Sequence, residues 1–212
     1  MKRTLLLLAV ALVAPAVAHA TTATATAQAE LQAVAAAYHR GDYQQALADF
    51  RQLAAQGYAG AENNLGVMYN DGQGVPQNNA KALKWYRVAA AQGEAHAETN
   101  LGVMYEYGQG VPQSYAEELK WYRLAAAQGD AGAESNLGAM YANGQGVPQD
   151  YVAAYNWYLI AKATMSATSR NYATVSNNVK QLSAMMTPAQ IAQAQQEASA
   201  WYAAHAKGGK SN

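Results

Sequence analysis

The chain has 212 residues, with 14 lysines and arginines, 14 aspartates and glutamates, and no cysteine. Without cysteine, neither a disulfide framework nor a thiolate metal site can form, so packing alone must hold the fold together. The balanced charge argues against a nucleic-acid or anionic-membrane partner, because such partners need a basic stripe.

The first 20 residues have the pattern of a secretory signal peptide. Lys2 and Arg3 precede an apolar run over residues 5–13, and Ala18–Ala20 supply an Ala-x-Ala cleavage pattern. The run is shorter than the roughly 20 apolar residues that a spanning helix needs. We therefore expect an exported protein, periplasmic or secreted, that is not inserted in a membrane after the signal is cleaved.

The remainder divides into a leader, a degenerate unit, three repeats and a C-terminal cap. Thr187, Pro188 and Gln190 predict the start of the last cap helix, because they supply a hydroxyl N-cap, a proline at the first helical position and a capping-box glutamine. The predicted segments are a flexible leader at 21–28, a degenerate tetratricopeptide-like unit at 29–58, repeats at 59–94, 95–130 and 131–166, capping helices at 167–206 and a tail at 207–212.

A 36-residue period governs the centre of the chain. Trp85, Trp121 and Trp157 are 36 residues apart, and residues 59–94 match residues 95–130 at 26 of 36 positions. Such a period is typical of stacked supersecondary units. Both halves of each unit carry apolar residues at helical spacing, and neither alternates with period two. The pattern predicts an all-α fold, an α/α solenoid of helical hairpins.

Each predicted first helix contains an internal glycine, at Gly66, Gly102 and Gly138. A glycine inside a helix is less favourable than alanine by about 1 kcal/mol. We therefore expect a neighbouring helix or aromatic ring to approach the backbone closely at these positions.

The loop sequence GQGVPQ occurs in every repeat and could be a phosphate cradle, a ligand-binding lip or a connector. It follows a helix and lacks both the lysine of a Walker loop and the third glycine of a dinucleotide loop. A connector explains each position: the first glycine can end a helix in the left-handed conformation, and a polar side chain two residues after the proline can cap the next. The predicted caps are Asn78, Ser114 and Asp150.

These residues resemble the Sel-one-like repeat family, a variant of the tetratricopeptide α/α repeat with a longer loop between its helices. The resemblance implies a right-handed superhelix of antiparallel helix pairs that acts as a scaffold or adaptor, with exported bacterial members in signalling, envelope polysaccharide systems or host contact. A cysteine-rich branch linked to β-lactam binding is a poor match to a chain without cysteine. The matching positions are Ala61, Leu65, Gly66, Tyr69, Gly72, Gly74, Val75, Ala82, Trp85, Tyr86, Ala89, Ala90 and Gly93, with equivalents in the later repeats.

No group of residues has the spacing of a catalytic, cofactor or metal site. His39, His96 and His205 lack a histidine or cysteine three or four residues away, and the nucleophile-elbow and zinc-protease motifs are absent. We therefore predict a protein that is not an enzyme and has no catalytic residue, cofactor or metal. His96 stands where the other repeats have glycine, and we interpret it as a surface or inter-helix residue.

Several polar and aromatic residues recur in every repeat and admit two interpretations. The carboxylates and amides could line a cation- or peptide-binding strip, and the aromatic rings could form a stacking platform for nucleic acid or sugar. Structural roles are favoured, with the carboxylates and amides bonded to loops or caps of neighbouring units, because geometry common to every copy most simply explains a residue present in every copy. The residues are Glu62, Glu98, Glu134, Asn64, Asn100 and Asn136, with Trp85, Trp121, Tyr86 and Tyr122 as predicted core aromatics.

Contacts to a partner are expected where the repeats differ. In tetratricopeptide-like arrays the first helices line the concave groove, and their positions away from the apolar stripe vary among the copies. The alternative is an ordinary solvated surface. The candidate residues, called the groove face below, are Asn63, Val67, Asn70, Thr99, Val103, Glu106, Tyr107, Ser135, Ala139 and Ala142.

Three functions remain open on the sequence. The favoured one is an exported, monomeric, non-enzymatic scaffold that binds a protein or peptide segment along the groove. The second is a cell-envelope enzyme or a glycan- or peptidoglycan-binding protein, which export and the aromatic content would suit. The third is a spacer within a larger envelope complex.

Overall fold

A computed structural model describes residues 33, 34 and 36–205. The predicted signal peptide (1–20), leader (21–28) and tail (207–212) lie outside the described residues. None of the described helices is both long and apolar enough to cross a membrane. The helices are α1 (Tyr43–Ala55), α2 (Ala59–Asp71), α3 (Asn79–Ala90), α4 (Ala95–Tyr107), α5 (Tyr115–Ala127), α6 (Ala131–Asn143), α7 (Tyr151–Thr164), α8 (Tyr172–Met185) and α9 (Pro188–His205).

The helices form consecutive hairpins. Helix α2 packs on α3, α4 on α5, and α6 on α7, and the second helix of each hairpin packs on the first helix of the next. Helix α1 packs on α2 in the same way, and residues 33, 34 and 36–39 are helical and precede α1. The prediction of an all-α solenoid is confirmed.

The apolar clusters lie mainly at the junctions between hairpins. One cluster joins Tyr86 and Ala89 of α3 to Leu101 and Met104 of α4, all of them buried. Similar clusters join α1 to α2 and α5 to α6. Trp85 is half-buried and packs against two successive clusters. Each hairpin therefore buries its apolar surface on its neighbours, as expected for a solenoid.

Within each hairpin, a glycine of the first helix meets a tyrosine of the second. A Cβ atom on Gly102 would lie 2.3 Å from Cε1 of Tyr122, well inside van der Waals contact. The predicted close approach of a ring to the helical glycine is thus confirmed. The same contact pairs Gly66 with Tyr86 and Gly138 with Tyr158, at 2.4 Å from Cε1 and 2.8 Å from Cδ1.

The GQGVPQ loop is the predicted connector. Gly108 has a φ of 64° and ends α4 in the left-handed conformation, as Gly72 and Gly144 end α2 and α6. The three predicted N-caps accept backbone hydrogen bonds at the start of α3, α5 and α7. The bonds are Lys81 N to Asn78 Oδ1 at 2.9 Å, Glu117 N to Ser114 Oγ at 3.3 Å, and Val152 N to Asp150 Oδ1 at 2.9 Å.

The last glutamine of the loop ties it back to the first helix. Gln113 Nε2 donates to the carbonyl oxygen of Glu106 at 2.9 Å, which satisfies one of the free carbonyls at the end of α4. Gln77 and Gln149 make the same bond in the other repeats, at 2.7 Å and 2.8 Å. The loop is thereby held to the hairpin that it connects.

A recurring hydrogen bond links each hairpin to the next. Arg87 Nη2 of α3 donates to the hydroxyl of Tyr105 in α4 at 3.2 Å. Arg51 donates to Tyr69 at 3.2 Å and Arg123 to Tyr141 at 3.1 Å. Because Arg51 belongs to the degenerate unit, that unit joins the first repeat through the same bond as the regular repeats.

The recurring glutamates connect the two helices of one hairpin. Glu98 Oε2 accepts from Gln128 Nε2 at 2.7 Å, at the end of the second helix. The partners lie in the same repeat rather than in the neighbouring units that the sequence suggested, because the hairpin returns the chain to the start of its first helix. The other bonds are Gln92 to Glu62 at 2.5 Å and Thr164 to Glu134 at 2.5 Å.

The third hairpin is covered at its outer end by α8 and α9, both of which pack on α7. Ala194 and Ala198 of α9 are buried, and Trp201 meets Trp157 edge-on with ring centroids 5.5 Å apart. Helix α9 starts as predicted: Gln190 N donates to Thr187 Oγ1, and Thr187 N donates to Gln190 Oε1.

The outer face of α7 differs from that of α3 and α5. Ile160 is buried, whereas the equivalent Val88 and Leu124 are 37% and 44% exposed. Ile160 and Ala198 line one cleft between α7 and α9. Helix α7 also has uncharged residues where the earlier repeats have charged ones. Asn156 is equivalent to Lys84 and Lys120, and Leu159 is equivalent to Arg87 and Arg123.

The contact between ring and glycine predicts a loss of stability for Gly102→Ala. Alanine favours a helix over glycine by about 1 kcal/mol, but a Cβ at 2.3 Å from the Tyr122 ring forces the helices apart. We expect a net loss of about 1–2 kcal/mol in urea unfolding, since overpacking typically destabilises by that order.

The matched control is Gly60→Ala, in α2. The equivalent position carries the His96 side chain in the second repeat, so this position of the repeat accommodates a side chain. This variant should be unchanged or slightly more stable. Equal stability of both variants and the parent protein would contradict the steric role of Gly102.

Burial of Glu134 predicts that Glu134→Gln increases the stability of the fold in a pH-dependent way. Its side chain is fully buried, and burial raises its pKa to about 7. The folded pKa exceeds the unfolded one, so the parent protein loses stability as pH rises from about 4.5 to 7. Glutamine removes this loss, and its amide can donate to Thr164 Oγ1, which lies 3.1 Å from the Ile160 carbonyl oxygen.

The measurement is thermal unfolding at about pH 5 and pH 8. We expect Glu134→Gln to gain about 1–3 kcal/mol relative to the parent protein between the two pH values. Glu117→Gln, at a partly exposed carboxylate paired with Lys120, serves as the control and should show no such gain. If Glu134→Gln is less stable than the parent protein by the same amount at both pH values, Glu134 is ionised at both. That outcome would contradict the raised pKa of Glu134.

Candidate partner-binding surface

The first helices of successive hairpins lie side by side. Helix α2 contacts α4, and α4 contacts α6. Asn100 Nδ2 of α4 donates to Asn63 Oδ1 of α2 at 2.9 Å. This arrangement is the one expected for the inner side of a curved stack, and it makes the exposed parts of the three helices one continuous surface.

Nine of the ten groove-face residues are half-buried or exposed, and one, Asn63, is buried. Asn63 is 7% exposed, and its side-chain oxygen is occupied by Asn100, so it contributes to the contact between repeats. Tyr107 is 65% exposed. The remaining residues are half-buried: Val67, Asn70, Thr99, Val103, Glu106, Ser135, Ala139 and Ala142.

The second repeat has two carboxylates near the junction of α4 and α5, Glu106 on the groove face and Glu118 in the interior. Glu106 Oε2 accepts a hydrogen bond from the Tyr122 hydroxyl at 2.9 Å. Glu118 of α5 is buried, and its Oε2 has no hydrogen-bond partner among the described residues. Burial, reinforced by the charge of Glu106, raises the pKa of Glu118 to about 7.

Glu118 was not singled out from the sequence, although a signal existed. The equivalent positions are Ala82 and Ala154, both buried with no exposed surface. A glutamate that replaces a core alanine in only one of three nearly identical repeats departs from the packing pattern. Such a departure could have marked Glu118 as a candidate.

His96 of α4 contacts the residue that caps the start of α6. Its Nδ1 lies 2.7 Å from Oδ2 of Asp130, whose Oδ1 accepts from Ala133 N at 2.8 Å and so caps α6. The bond to Asp130 raises the pKa of His96. Burial acts to raise the pKa of Asp130, but the bonds from His96 and Ala133 outweigh it and lower that pKa. The inter-helix interpretation of His96 is confirmed.

The predicted aromatic residues divide into two groups. Tyr86 and Tyr122 are buried core residues, as expected. Trp85 and Trp121 are half-buried between successive hairpins, and they pack against the apolar clusters there. The described residues contain no group of three or more histidine, cysteine, aspartate or glutamate side chains placed to hold a metal ion.

Three stretches of the chain match the family model of the Sel1 repeat, at residues 59–94, 95–130 and 131–163. These stretches cover the three hairpins from α2 almost to the end of α7. Proteins built from this repeat generally act as scaffolds for protein–protein interaction and are typically not catalytic. No curated protein matches the chain.

Two solved structures are similar to the fold. The crystal structure of c5321, a protective antigen present in uropathogenic Escherichia coli strains and displaying an SLR fold, has 37% identity and a TM-score of 0.60. A Sel1 repeat protein from Oxalobacter formigenes has 32% identity and a TM-score of 0.60. The matches cover 75% and 78% of this chain, which spans 38% of the first protein and 63% of the second.

The repeat matches and the similar structures agree with the helical hairpins described above. The chain belongs to the Sel1 repeat family.

Proposed function

We propose that this chain is an exported scaffold that holds a protein or peptide segment against its groove face. Support comes from how the repeats use their polar residues. The recurring ones are occupied in building the array: Glu98 is bonded to Gln128, and Arg87 to Tyr105. The recurring residues therefore leave little chemistry free for a partner.

The observation that carries the proposal is the variation at the ends of the first helices. Asn70, Glu106 and Ala142 occupy one equivalent position, on helices of the same length in the same setting. The next position holds Asp71, Tyr107 or Asn143. The helices are alike, but their ends present different groups: an amide at Asn70, a carboxylate at Glu106, an aromatic ring at Tyr107 and a methyl group at Ala142. Such a row of different groups suits recognition of an extended peptide segment.

Export rests on the pattern of the first 20 residues, and it predicts a mass change. The protein from the exported fraction should lack about 20 N-terminal residues, because the Ala-x-Ala pattern ends at Ala20. Ala18→Asp combined with Ala20→Asp should block the cleavage, since the site requires small residues. Intact-protein mass spectrometry of the cytoplasmic and exported fractions measures the loss of the N-terminal residues. Ala16→Ser, outside the Ala-x-Ala pattern, is the control. A full-length protein that stays in the cytoplasm would refute the export proposal.

Partner binding at the groove face predicts position-dependent photo-crosslinking. A benzoylphenylalanine in place of Val103, on α4, should form an adduct with the partner in the exported fraction. The same probe in place of Leu124 is the matched control, because this residue is 44% exposed on the outer side of α5. Digestion and mass spectrometry then identify the crosslinked molecule.

Each outcome of the crosslinking has a definite meaning. A protein adduct at position 103 and none at position 124 supports the groove face. Adducts at position 124 alone would move the binding surface to the second helices. A glycan adduct at position 103, or the absence of any adduct at both positions, would overturn the scaffold proposal.

A further inference from the structure

Helix α3 has an open outer face. It packs on α2 and α4 through its other sides, and Val88 remains 37% exposed. A shallow depression of about 580 Å³ runs along this face from Ala80 to Gln92, and Lys84 and Arg87 line it together with Val88. The face therefore combines accessible apolar surface with two basic side chains.

The third hairpin shows what the equivalent face binds. Ile160 of α7 is the equivalent of Val88, and it is buried where α9 packs on α7. Ile160 lines one cleft with Ala198 and Ser199 of α9. The same position of the repeat thus accepts an α-helix that presents small residues, which makes a helix the expected occupant of the open face of α3.

The charges of α3 specify the kind of helix that fits. Asn156, the α7 equivalent of Lys84, donates through Nδ2 to Oε2 of Glu197 in α9 at 3.5 Å. At the same place on α3, a partner carboxylate would receive a charge-assisted bond from an ammonium group. Arg87 is equivalent to Leu159, which lines the cleft beside α9. Two positions that are neutral beside α9 are therefore basic on α3, and they favour an acidic helix.

Helix α3 has no carboxylate of its own to balance these charges. It contains Lys81, Lys84 and Arg87 and no acidic residue. The salt bridges among the described residues involve none of the three. In α5, by contrast, Nζ of Lys120 lies 3.2 Å from Oε2 of Glu117. The uncompensated basic face is therefore specific to α3.

We propose that the outer face of α3 docks one amphipathic helix of a second protein. The helix places a stripe of small and aliphatic residues over Val88 and carboxylates opposite Lys84 and Arg87. Apolar contact then supplies affinity, and the charges fix orientation and partner choice. This surface lies on a second helix, whereas the groove face lies on first helices, so it goes beyond the scaffold function proposed above.

A second copy of this chain fits the same face less well. The helix that it could offer by analogy is α9, which is already packed on α7. Helix α9 also contains a single carboxylate, at Glu197. A helix with carboxylates opposite both basic residues is complementary to α3, and α9 is not.

The test uses a labelled peptide with the sequence of residues 188–205, in which Gln195→Glu and Ser199→Glu add two carboxylates. A hydrocarbon staple between positions 196 and 200, both exposed in α9, keeps the short peptide helical. The neutral counterpart keeps Gln195 and Ser199 and carries Glu197→Gln. Fluorescence anisotropy at low salt measures binding to the whole protein. We expect the acidic peptide to bind at least about tenfold more tightly than the neutral one.

Variants at exposed positions assign the contact to α3. Lys84→Glu should weaken binding of the acidic peptide by about tenfold or more, and Val88→Ser should weaken binding of both peptides by about threefold or more. A form of the acidic peptide with Glu197→Lys should bind the Lys84→Glu variant more tightly than it binds the parent protein, because the charges are exchanged. Lys120→Glu, at the equivalent position of α5, is the matched control and should change binding by less than about twofold.

Equal binding of the acidic and neutral peptides would overturn the proposal, as would equal losses in Lys84→Glu and Lys120→Glu. A benzoylphenylalanine in place of Val88 then tests the occupant in the exported fraction. An adduct with a segment of another protein that has helical periodicity and flanking carboxylates supports the proposal. An adduct with a second copy of this chain, an adduct with a glycan, or no adduct at this position overturns it.

Discussion

The contact of a tyrosine ring with a helical glycine sets the geometry on which the other interactions depend. Because Gly102 has no side chain, the Tyr122 ring lies directly on the backbone of α4, and the two helices of the hairpin approach closely. That spacing brings Gln128 within reach of Glu98. It also carries the Tyr122 hydroxyl to Glu106, at the groove face. One steric requirement thus positions both a structural bond and a candidate recognition group.

The repeating unit of the sequence differs from the cooperative unit of the structure. A period of 36 residues describes one hairpin, yet the buried apolar clusters join the second helix of one hairpin to the first helix of the next. Within a hairpin, polar bonds and the ring contact set orientation; between hairpins, apolar burial supplies the main driving force. Polar bonds such as that from Arg87 to Tyr105 add to this burial between hairpins, so that no hairpin is complete by itself.

The features predicted from the sequence are those that depend on local chemistry repeated three times. The hairpins, the glycine contacts and the caps at Asn78, Ser114 and Asp150 all follow from helical periodicity and from the known preferences of helix ends. Features that depend on how hairpins pack on each other could not be predicted from the sequence. The burial of Asn63 and its bond to Asn100 arise from the side-by-side placement of α2 and α4, which no spacing within one repeat reveals. Glu118 was not predicted because it lies on a second helix, whereas the expected contacts were confined to variable positions of the first helices.

The closed face of α7 has a consequence for how such an array can grow. On the face where α9 packs against α7, helices α3 and α5 carry lysine and arginine instead. Ile160 of α7 is buried there, whereas the equivalent Val88 and Leu124 are exposed. An extra copy placed after the third repeat would have to displace the cap. A copy of residues 95–130 inserted between the second and third repeats would meet matching junctions on both sides. We therefore expect duplication to be tolerated inside the array and opposed after the third repeat, because the sequence of α7 determines where the series of hairpins ends.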